Sequence, residues 1–122
     1  MKIAIASKGK TISSRVDDRF GRCPYFLIVD TTSMTTETIE NPGQTEKNAA
    51  GIRACQMLID EGVNAVVVKN IGHNALVTLT GAGMDVYTVA SGTVSAVVEK
   101  VKRGELTAVE RPTVGFQEGL DN

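Results

Sequence analysis

The sequence predicts a single α/β domain in which one mixed β-sheet carries helices on both faces. Strand patterns dominate the first 40 residues, which is typical of an antiparallel meander. From about residue 45 onward, helical and strand patterns alternate, which is typical of parallel strands joined by helices. A chain of 122 residues is long enough for one such domain with one hydrophobic core.

Three strands are predicted in the amino-terminal part. Lys2–Ser7 alternates isoleucine with smaller or polar residues, and Tyr25–Asp30 begins with five consecutive apolar residues. Residues 31–40 are rich in threonine, alternate weakly and end at an Asn-Pro-Gly turn. Because this third segment is polar, we expect it to be an edge strand paired with the second.

A first helix is predicted to begin at Thr45 or Glu46 and to end at Gly62. A valine-rich strand at residues 63–68 follows it. Apolar residues at helical spacing are expected to form the buried face of this helix, and Cys55 is interpreted as one of these core residues. They are Ala49, Ile52, Cys55, Leu58 and Ile59.

The rest of the chain predicts two helices, one strand and a tail. The second helix has His73 in its first turn and ends near Gly81, and a strand follows at residues 84–89. The third helix begins at Val94 and ends at Gly104. Residues 105–122 show no period, so we predict a domain over residues 1–104 and a loosely ordered tail over residues 105–122.

The element order βββαβαβα favours a ribonuclease H-like sheet with strand order 3-2-1-4-5. In this arrangement the sheet changes direction between strands one and four, and crevices at such switch points bind ligands. The loop after strand one holds residues 15–23, and the loop after strand four holds residues 70–74. We therefore expect these two loops to meet at one end of the sheet.

Charge, hydropathy and cysteine content argue against several classes of function. The net charge of −1 argues against general nucleic-acid binding, and no apolar run approaches the roughly 20 residues of a membrane span. The amino terminus does not have the pattern of a signal peptide, so we expect a cytoplasmic protein. Two cysteines are too few to hold an iron–sulfur cluster through four protein thiolates.

The first loop suggests an anion site around a thiol. Arg15, Arg19 and Arg22 supply planar, permanently charged donors near Cys23. Nearby guanidinium groups favour the thiolate, which is the metal-binding form of cysteine. The alternatives are a loop whose charge is balanced by neighbouring acids, and a cysteine that is a partly buried apolar residue.

The second loop suggests a complementary partner for the first. Gly72, His73 and Asn74 stand at the start of the second helix, where unpaired backbone N–H groups attract anions. His73 is the only histidine and could serve as a ligand or as a hydrogen-bond donor. The alternative is a solvated surface histidine.

Two enzymatic interpretations are weaker. Ribonuclease H-like nucleases need an acid on the first strand, and Lys2–Ser7 contains none, which argues against two-metal chemistry. A thiol hydrolase could pair Cys23 with His73, but the sequence indicates no acid to orient the histidine. We therefore expect a protein that is not an enzyme.

Several short motifs, in their order and spacing, resemble the dinitrogenase iron–molybdenum cofactor-binding family. This family includes NifX-like and NafY-like carriers and the carboxy-terminal domain of NifB-like proteins. The resemblance extends from about Lys2 to Gly104. The residues that carry it are Ala6-Ser7, Phe20-Gly21-x-Cys23-x-x-Phe26, Gly51, Gly62-Val63, Ile71-Gly72-x-Asn74-Ala75 and Gly83-x-x-Val86-Tyr87.

The resemblance implies a ribonuclease H-like fold and non-covalent carriage of an anionic metal–sulfur cluster. The cluster would be iron–molybdenum cofactor or a related molybdenum-containing cluster, taken from or passed to a cofactor biosynthesis or acceptor protein. Cys23 and His73 would be the metal ligands. Nitrogenase-associated members often carry His-Phe-Gly where this chain has Arg19-Phe20-Gly21, which favours a stand-alone member. The alternative is a regulatory module that binds a small anion or a protein without metal.

Overall fold

The computed structural model describes residues 1–44 and 50–113. These residues form five strands and three helices in the predicted order. None of the described helices has the length and apolar character to cross a bilayer. The elements are β1 (Lys2–Ser7), β2 (Tyr25–Asp30), β3 (Thr36–Glu40), α1 (Ala50–Asp60), β4 (Ala65–Val68), α2 (His73–Gly81), β5 (Asp85–Thr88) and α3 (Val94–Lys102).

The strands form one mixed sheet with the order β3-β2-β1-β4-β5, which confirms the predicted ribonuclease H-like order. Strand β1 pairs antiparallel with β2 and parallel with β4. Strand β2 also pairs antiparallel with β3, while β4 pairs parallel with β5. The direction of the sheet therefore changes at β1, and the carboxyl ends of β1, β4 and β5 lie at the same edge.

Helices cover both faces of the sheet, as predicted. Alternate side chains of β1 enter two different apolar clusters, with Ala4 and Ala6 on one face and Ile3 and Ile5 on the other. Helices α1 and α2 pack on the alanine face, and α3 packs on the isoleucine face. Because strands buried on both faces must be apolar throughout, the near-continuous apolar runs in β1, β2 and β4 follow from this arrangement.

The predicted apolar face of α1 is partly wrong. Ile52 and Ile59 are 47% and 39% exposed, although their seven-residue spacing places them on one side of the helix. The buried side is instead one of small residues, which allows α1 to lie close to α2. The predicted start at Thr45 or Glu46, and Ala49, lie outside the described residues. The buried residues are Ala50, Gly51, Ala54, Cys55 and Leu58.

Strand β3 begins five residues later than the first threonine of its predicted segment because a turn precedes it. The carboxylate of Asp30 accepts hydrogen bonds from the backbone N–H groups of Thr32 and Ser33. Met34 takes a φ of 61°, which few residues with a side chain adopt. These local bonds compete with strand pairing, so the ladder with β2 starts only at Thr36.

Candidate anion-binding site

The loops after β1 and β4 meet at the edge of the sheet, as predicted. The Lys69 Nζ atom lies 3.2 Å from Asp18 Oδ1, and the Asn70 side-chain amide donates to the Asp18 carbonyl at 3.4 Å. Asp18 belongs to the first loop, whereas Lys69 and Asn70 follow β4 directly. The contact therefore joins two segments that are separated by about 50 residues in sequence.

A cationic cavity of about 160 Å³ lies at this edge. Lys8 follows β1, Lys69 follows β4, and Arg15 lies in the first loop, so three cationic side chains converge there against one carboxylate. Positive charge in a concave site attracts anions because the surrounding protein limits screening by water. The full lining is Lys8, Arg15, Val16, Asp18, Lys69, Ser91 and Gly92.

Asp18 moderates this positive charge. The hydrogen bond and the charge of Lys69, followed by the charge of Lys8, hold the pKa of Asp18 below its usual value. The carboxylate is therefore ionised at neutral pH and offsets part of the charge of Lys69. Its side chain is exposed, so its effect on affinity is open to adjustment by substitution.

The amino terminus of α2 offers further donors at the same edge. Gly72 occupies the N-cap position with extended backbone and provides no side-chain cap. Its carbonyl accepts the first helical hydrogen bond from Leu76. Within the described part of the chain, no group accepts a hydrogen bond from the backbone N–H of Asn74 or Ala75. These N–H groups and the helix dipole favour a bound anion.

The amino terminus of α3 has no such opening. The Thr93 hydroxyl accepts a hydrogen bond from the Ala96 N–H. The first loop supplies two more acceptors, because the carbonyls of Ser14 and Ile12 accept from the N–H groups of Val94 and Ser95 at 2.9 and 2.8 Å. One half of the first loop therefore serves as the cap of α3.

The other half of the first loop buries Cys23, which agrees with the alternative interpretation as an apolar residue and not with a thiolate. Cys23 is 0% exposed, and its thiol donates a hydrogen bond to the Phe20 carbonyl at 3.3 Å. Burial, and then the negative charge of Asp17, raise the pKa of the Cys23 thiol far above its usual range. The thiol is neutral and faces the core, so in this conformation it does not present a metal ligand to the crevice.

Asn41 explains why the loop turns inward, and the sequence analysis treated it only as a turn residue. Its buried side-chain amide donates to the carbonyls of Gly21 and Cys23, both at 2.9 Å. Its side-chain oxygen accepts from the Gly43 N–H at 2.9 Å. An asparagine in an Asn-Pro-Gly turn gives no sign of partners 18 to 20 residues earlier in the chain.

The remaining residues predicted for the site are distributed around this edge. Arg19 is mostly exposed, and its Nε lies 3.9 Å from Asp17, whose carboxylate also accepts from the Arg19 N–H. Arg22 is half-buried, His73 is exposed at the first position of α2, and Asn74 is half-buried. Of the three arginines, Arg15 is the one that lines the cavity.

Lys8 and Lys69 are site residues that the sequence analysis missed. Each directly follows a predicted strand, and the carboxyl ends of those two strands meet at the switch point. Their position directly after these strands is the feature of the sequence that could have identified them. The core interpretation of Cys55 is confirmed, since it is 0% exposed and burial raises its pKa to about 12. The described residues contain no group of three or more His, Cys, Asp or Glu arranged to hold a metal ion.

The strand order and the crevice at the switch point define a ribonuclease H-like α/β domain with a cationic edge. More specifically, the chain belongs to the family described as dinitrogenase iron-molybdenum cofactor, whose profile matches residues 1–104. Membership in this family and the predicted fold are therefore both confirmed.

Three relatives extend this result. The apo form of the orange protein from Desulfovibrio gigas is 31% identical, with a TM-score of 0.89 over 93% of this chain and 96% of that one. A NifB-like protein from Thermotoga, solved by NMR, is 37% identical, with a TM-score of 0.81 over 93% and 97%. An uncharacterized protein of Methanocaldococcus jannaschii is 29% identical over 113 residues, covering 90% of this chain and 92% of the relative.

Proposed function

We propose that the protein is a cytoplasmic carrier or scaffold for an anionic metal–sulfur cluster, either iron–molybdenum cofactor-like or a related molybdenum-containing cluster. The observation that carries the proposal is a cavity lined by Lys8, Arg15 and Lys69 at the edge of the sheet where β1 and β4 end. The amino terminus of α2 lies at the same edge, because α2 follows β4. Membership in a family described by the iron–molybdenum cofactor supports this choice of ligand. Both features suit an anionic ligand.

Different residues at this edge make different contacts with the proposed ligand. Lys8, Arg15 and Lys69 neutralise the charge of the cluster from the side of the cavity. The N–H groups of Asn74 and Ala75 donate hydrogen bonds to its sulfur or oxygen atoms. His73, exposed at the first position of α2, is the side chain that could ligate a metal directly.

This set of contacts favours reversible binding over catalysis. Cys23 lies in the core and is not part of the proposed ligand set. A cluster held mainly by charge and hydrogen bonds exchanges faster than one held by several thiolates, and its release is sensitive to salt. These properties suit a protein that receives a cluster from a biosynthetic protein or passes it to an acceptor protein.

The proposal is tested by anaerobic purification followed by analysis for molybdenum, iron, copper and sulfide. The analysis is repeated after reconstitution with tetrathiomolybdate, alone and with copper or iron salts. We expect stoichiometric molybdenum and sulfide that remain with the protein through gel filtration and dissociate at high salt. Absence of stoichiometric metal and sulfide both before and after reconstitution would contradict the proposal.

The size of the cavity favours a second candidate, a regulatory module for a small anion. A volume of about 160 Å³ accommodates a tetrahedral anion of a few atoms more easily than a multinuclear cluster. A cluster would have to extend from the cavity onto the exposed surface near α2. Thermal unfolding with phosphate and with tetrathiomolybdate distinguishes the two candidates. A rise in the melting temperature with phosphate but not with tetrathiomolybdate supports the second.

A further inference from the structure

Residues 105–113, which follow the part of the chain that matches the family profile, form a strap around the edge of the sheet. The strap begins where the Glu105 N–H donates to the Lys100 carbonyl at the end of α3. It then pairs with the edge strand β5, through a bridge between Tyr87 and Ala108 and a hydrogen bond from the Val109 N–H to the Val86 carbonyl at 2.7 Å. The strap thereby covers part of an otherwise unpaired strand edge.

The strap passes from one face of the sheet to the other. Leu106 packs against the apolar cluster under α3, and Val109 packs against the cluster under α1 and α2. Both side chains are half-buried, so each contributes apolar contact at its own face. The strap therefore arrives, after crossing β5, on the face that carries α2.

At its end the strap holds the backbone immediately before the N-cap of α2. The Ile71 N–H donates to the Thr113 hydroxyl at 2.7 Å, and the Thr113 N–H donates to the Ile71 carbonyl at 2.9 Å. The same hydroxyl donates back to the Ile71 carbonyl at 3.2 Å. Ile71 is fully buried and Thr113 is exposed, so one surface residue satisfies both backbone groups of a buried one.

We infer that Thr113 is a positioning residue for the proposed anion site, and this inference rests on the proposed function. Gly72 follows Ile71 directly, and the first N–H groups of α2 follow Gly72. Fixing Ile71 therefore fixes the direction in which these N–H groups point before any anion arrives. Binding to donors that are already oriented avoids the entropy loss of ordering them, and so gives higher affinity.

The proposed positioning role of Thr113 belongs to a part of the chain outside the residues that match the family profile. That match ends at residue 104, at the start of the strap. Thr107 provides a matched control within the strap, because it is exposed and its hydroxyl makes no hydrogen bond within the described residues. Replacing threonine by valine keeps the branched shape and removes only the hydroxyl.

The experiment compares Thr113→Val, Thr113→Ser and Thr107→Val in the full-length protein, with tetrathiomolybdate as the probe. Two quantities are measured: the dissociation constant of the probe, and the hydrogen-exchange rate of the Ile71 N–H without the probe. We expect Thr113→Val to weaken binding about fivefold and to accelerate exchange at Ile71 by a similar factor, as for loss of one hydrogen bond. Thr113→Ser and Thr107→Val should stay within about twofold of the wild type.

The outcomes separate the inference from the proposed function. Binding by the wild type with an unchanged dissociation constant in Thr113→Val overturns the positioning role alone. Unchanged exchange at Ile71 in Thr113→Val also overturns it, because the hydroxyl would then not hold that N–H. Failure of the wild type to bind tetrathiomolybdate, alone or with copper or iron salts, contradicts the proposed function, and the positioning role falls with it.

Discussion

Helices α2 and α3 have the same length and follow neighbouring parallel strands, yet their amino termini are treated in opposite ways. At α3, the Thr93 hydroxyl and two carbonyls of the first loop occupy the N–H groups. At α2, Gly72 leaves the N–H groups of Asn74 and Ala75 without an acceptor among the described residues. Among the described residues, the terminus of α3 is thus completed internally, whereas the terminus of α2 keeps two N–H groups that a ligand can use.

The difference has an energetic meaning. A side-chain cap stabilises a helix by about 0.5–2 kcal/mol, and α2 forgoes this stabilisation. Lys69, which follows β4, lines the cationic cavity on the side of α2, and Ser91 and Gly92, which precede the N-cap of α3, line it on the other side.

The largest expected effect comes from removing the cationic edge. In the variant Lys8→Gln/Arg15→Gln/Lys69→Gln we expect the affinity for tetrathiomolybdate to fall about 30-fold at low salt, because three partly screened attractions are lost. Isothermal titration gives the dissociation constants. The control Lys100→Gln/Lys102→Gln/Arg103→Gln removes the same charge from the far end of α3. An equal loss of affinity in this control would show that the position of the charges does not matter.

The two buried thiols give the next largest effect, on stability rather than on binding. Burial raises the pKa of Cys55 to about 12 and that of Cys23 further, whereas an unfolded thiol ionises near pH 8.5. The folded state therefore binds more protons above about pH 9, and the free energy of unfolding falls as pH rises. The fall is up to about 1.4 kcal/mol per pH unit for each thiol.

Urea unfolding between pH 8 and pH 11 measures this slope. Cys55→Ala and Cys23→Ala should each reduce it, whatever their effect on stability at pH 8. Cys23→Ala should also leave the affinity for tetrathiomolybdate within about twofold of the wild type, since the site lies at α2 and the cationic edge. Loss of binding in a folded Cys23→Ala would show that the thiol reaches the cluster after all.

An acidic side chain at the same position of each helix tests the comparison directly. Asn74→Asp should stabilise α2 slightly through the helix dipole, yet weaken tetrathiomolybdate binding about fivefold by repelling the anion. Ser95→Asp, at the second position of α3, should stabilise its helix to a similar degree and leave binding unchanged. Thermal unfolding and titration give the melting temperature and the dissociation constant of both variants. Equal effects of the two substitutions on binding would contradict the assignment of the site to α2 rather than α3.

The smallest effect is an expected gain. Asp18→Asn removes the carboxylate that pairs with Lys69, so affinity for tetrathiomolybdate should rise about threefold at low salt. Asp60→Asn, at the other end of the sheet, makes the same change in net charge and should have little effect. A weaker affinity in Asp18→Asn would mean that the carboxylate orders the site rather than opposing the anion.

The sequence predicted the fold and the meeting of the two loops because both follow from strand order. Alternation in Lys2–Ser7 and the helical crossovers place β1 in the centre, and the ends of β1 and β4 must then coincide. The position of Cys23 could not be predicted in this way. It depends on hydrogen bonds from Asn41 and on the packing of Phe20, which are contacts between distant parts of the chain.

Similar reasoning explains the other differences. The spacing of Ile52 and Ile59 indicated an apolar face of α1, but the small residues beside them allow the closer approach to α2. The cap of α3 by Ser14 and Ile12 uses backbone carbonyls, which leave no trace in residue type. Lys8 and Lys69 were visible in principle, since each is the first residue after a strand at the switch point.

The most direct test of the central claim is an NMR titration of the ¹⁵N-labelled protein with tetrathiomolybdate under anaerobic conditions. The account predicts that the largest shift changes occur at Lys8, at Lys69 and at the N–H groups of residues 72–75. The N–H groups of residues 94–96, which already have acceptors, should change little. Changes centred on the N–H groups of residues 94–96, or saturable binding that leaves residues 72–75 unaffected, would contradict it.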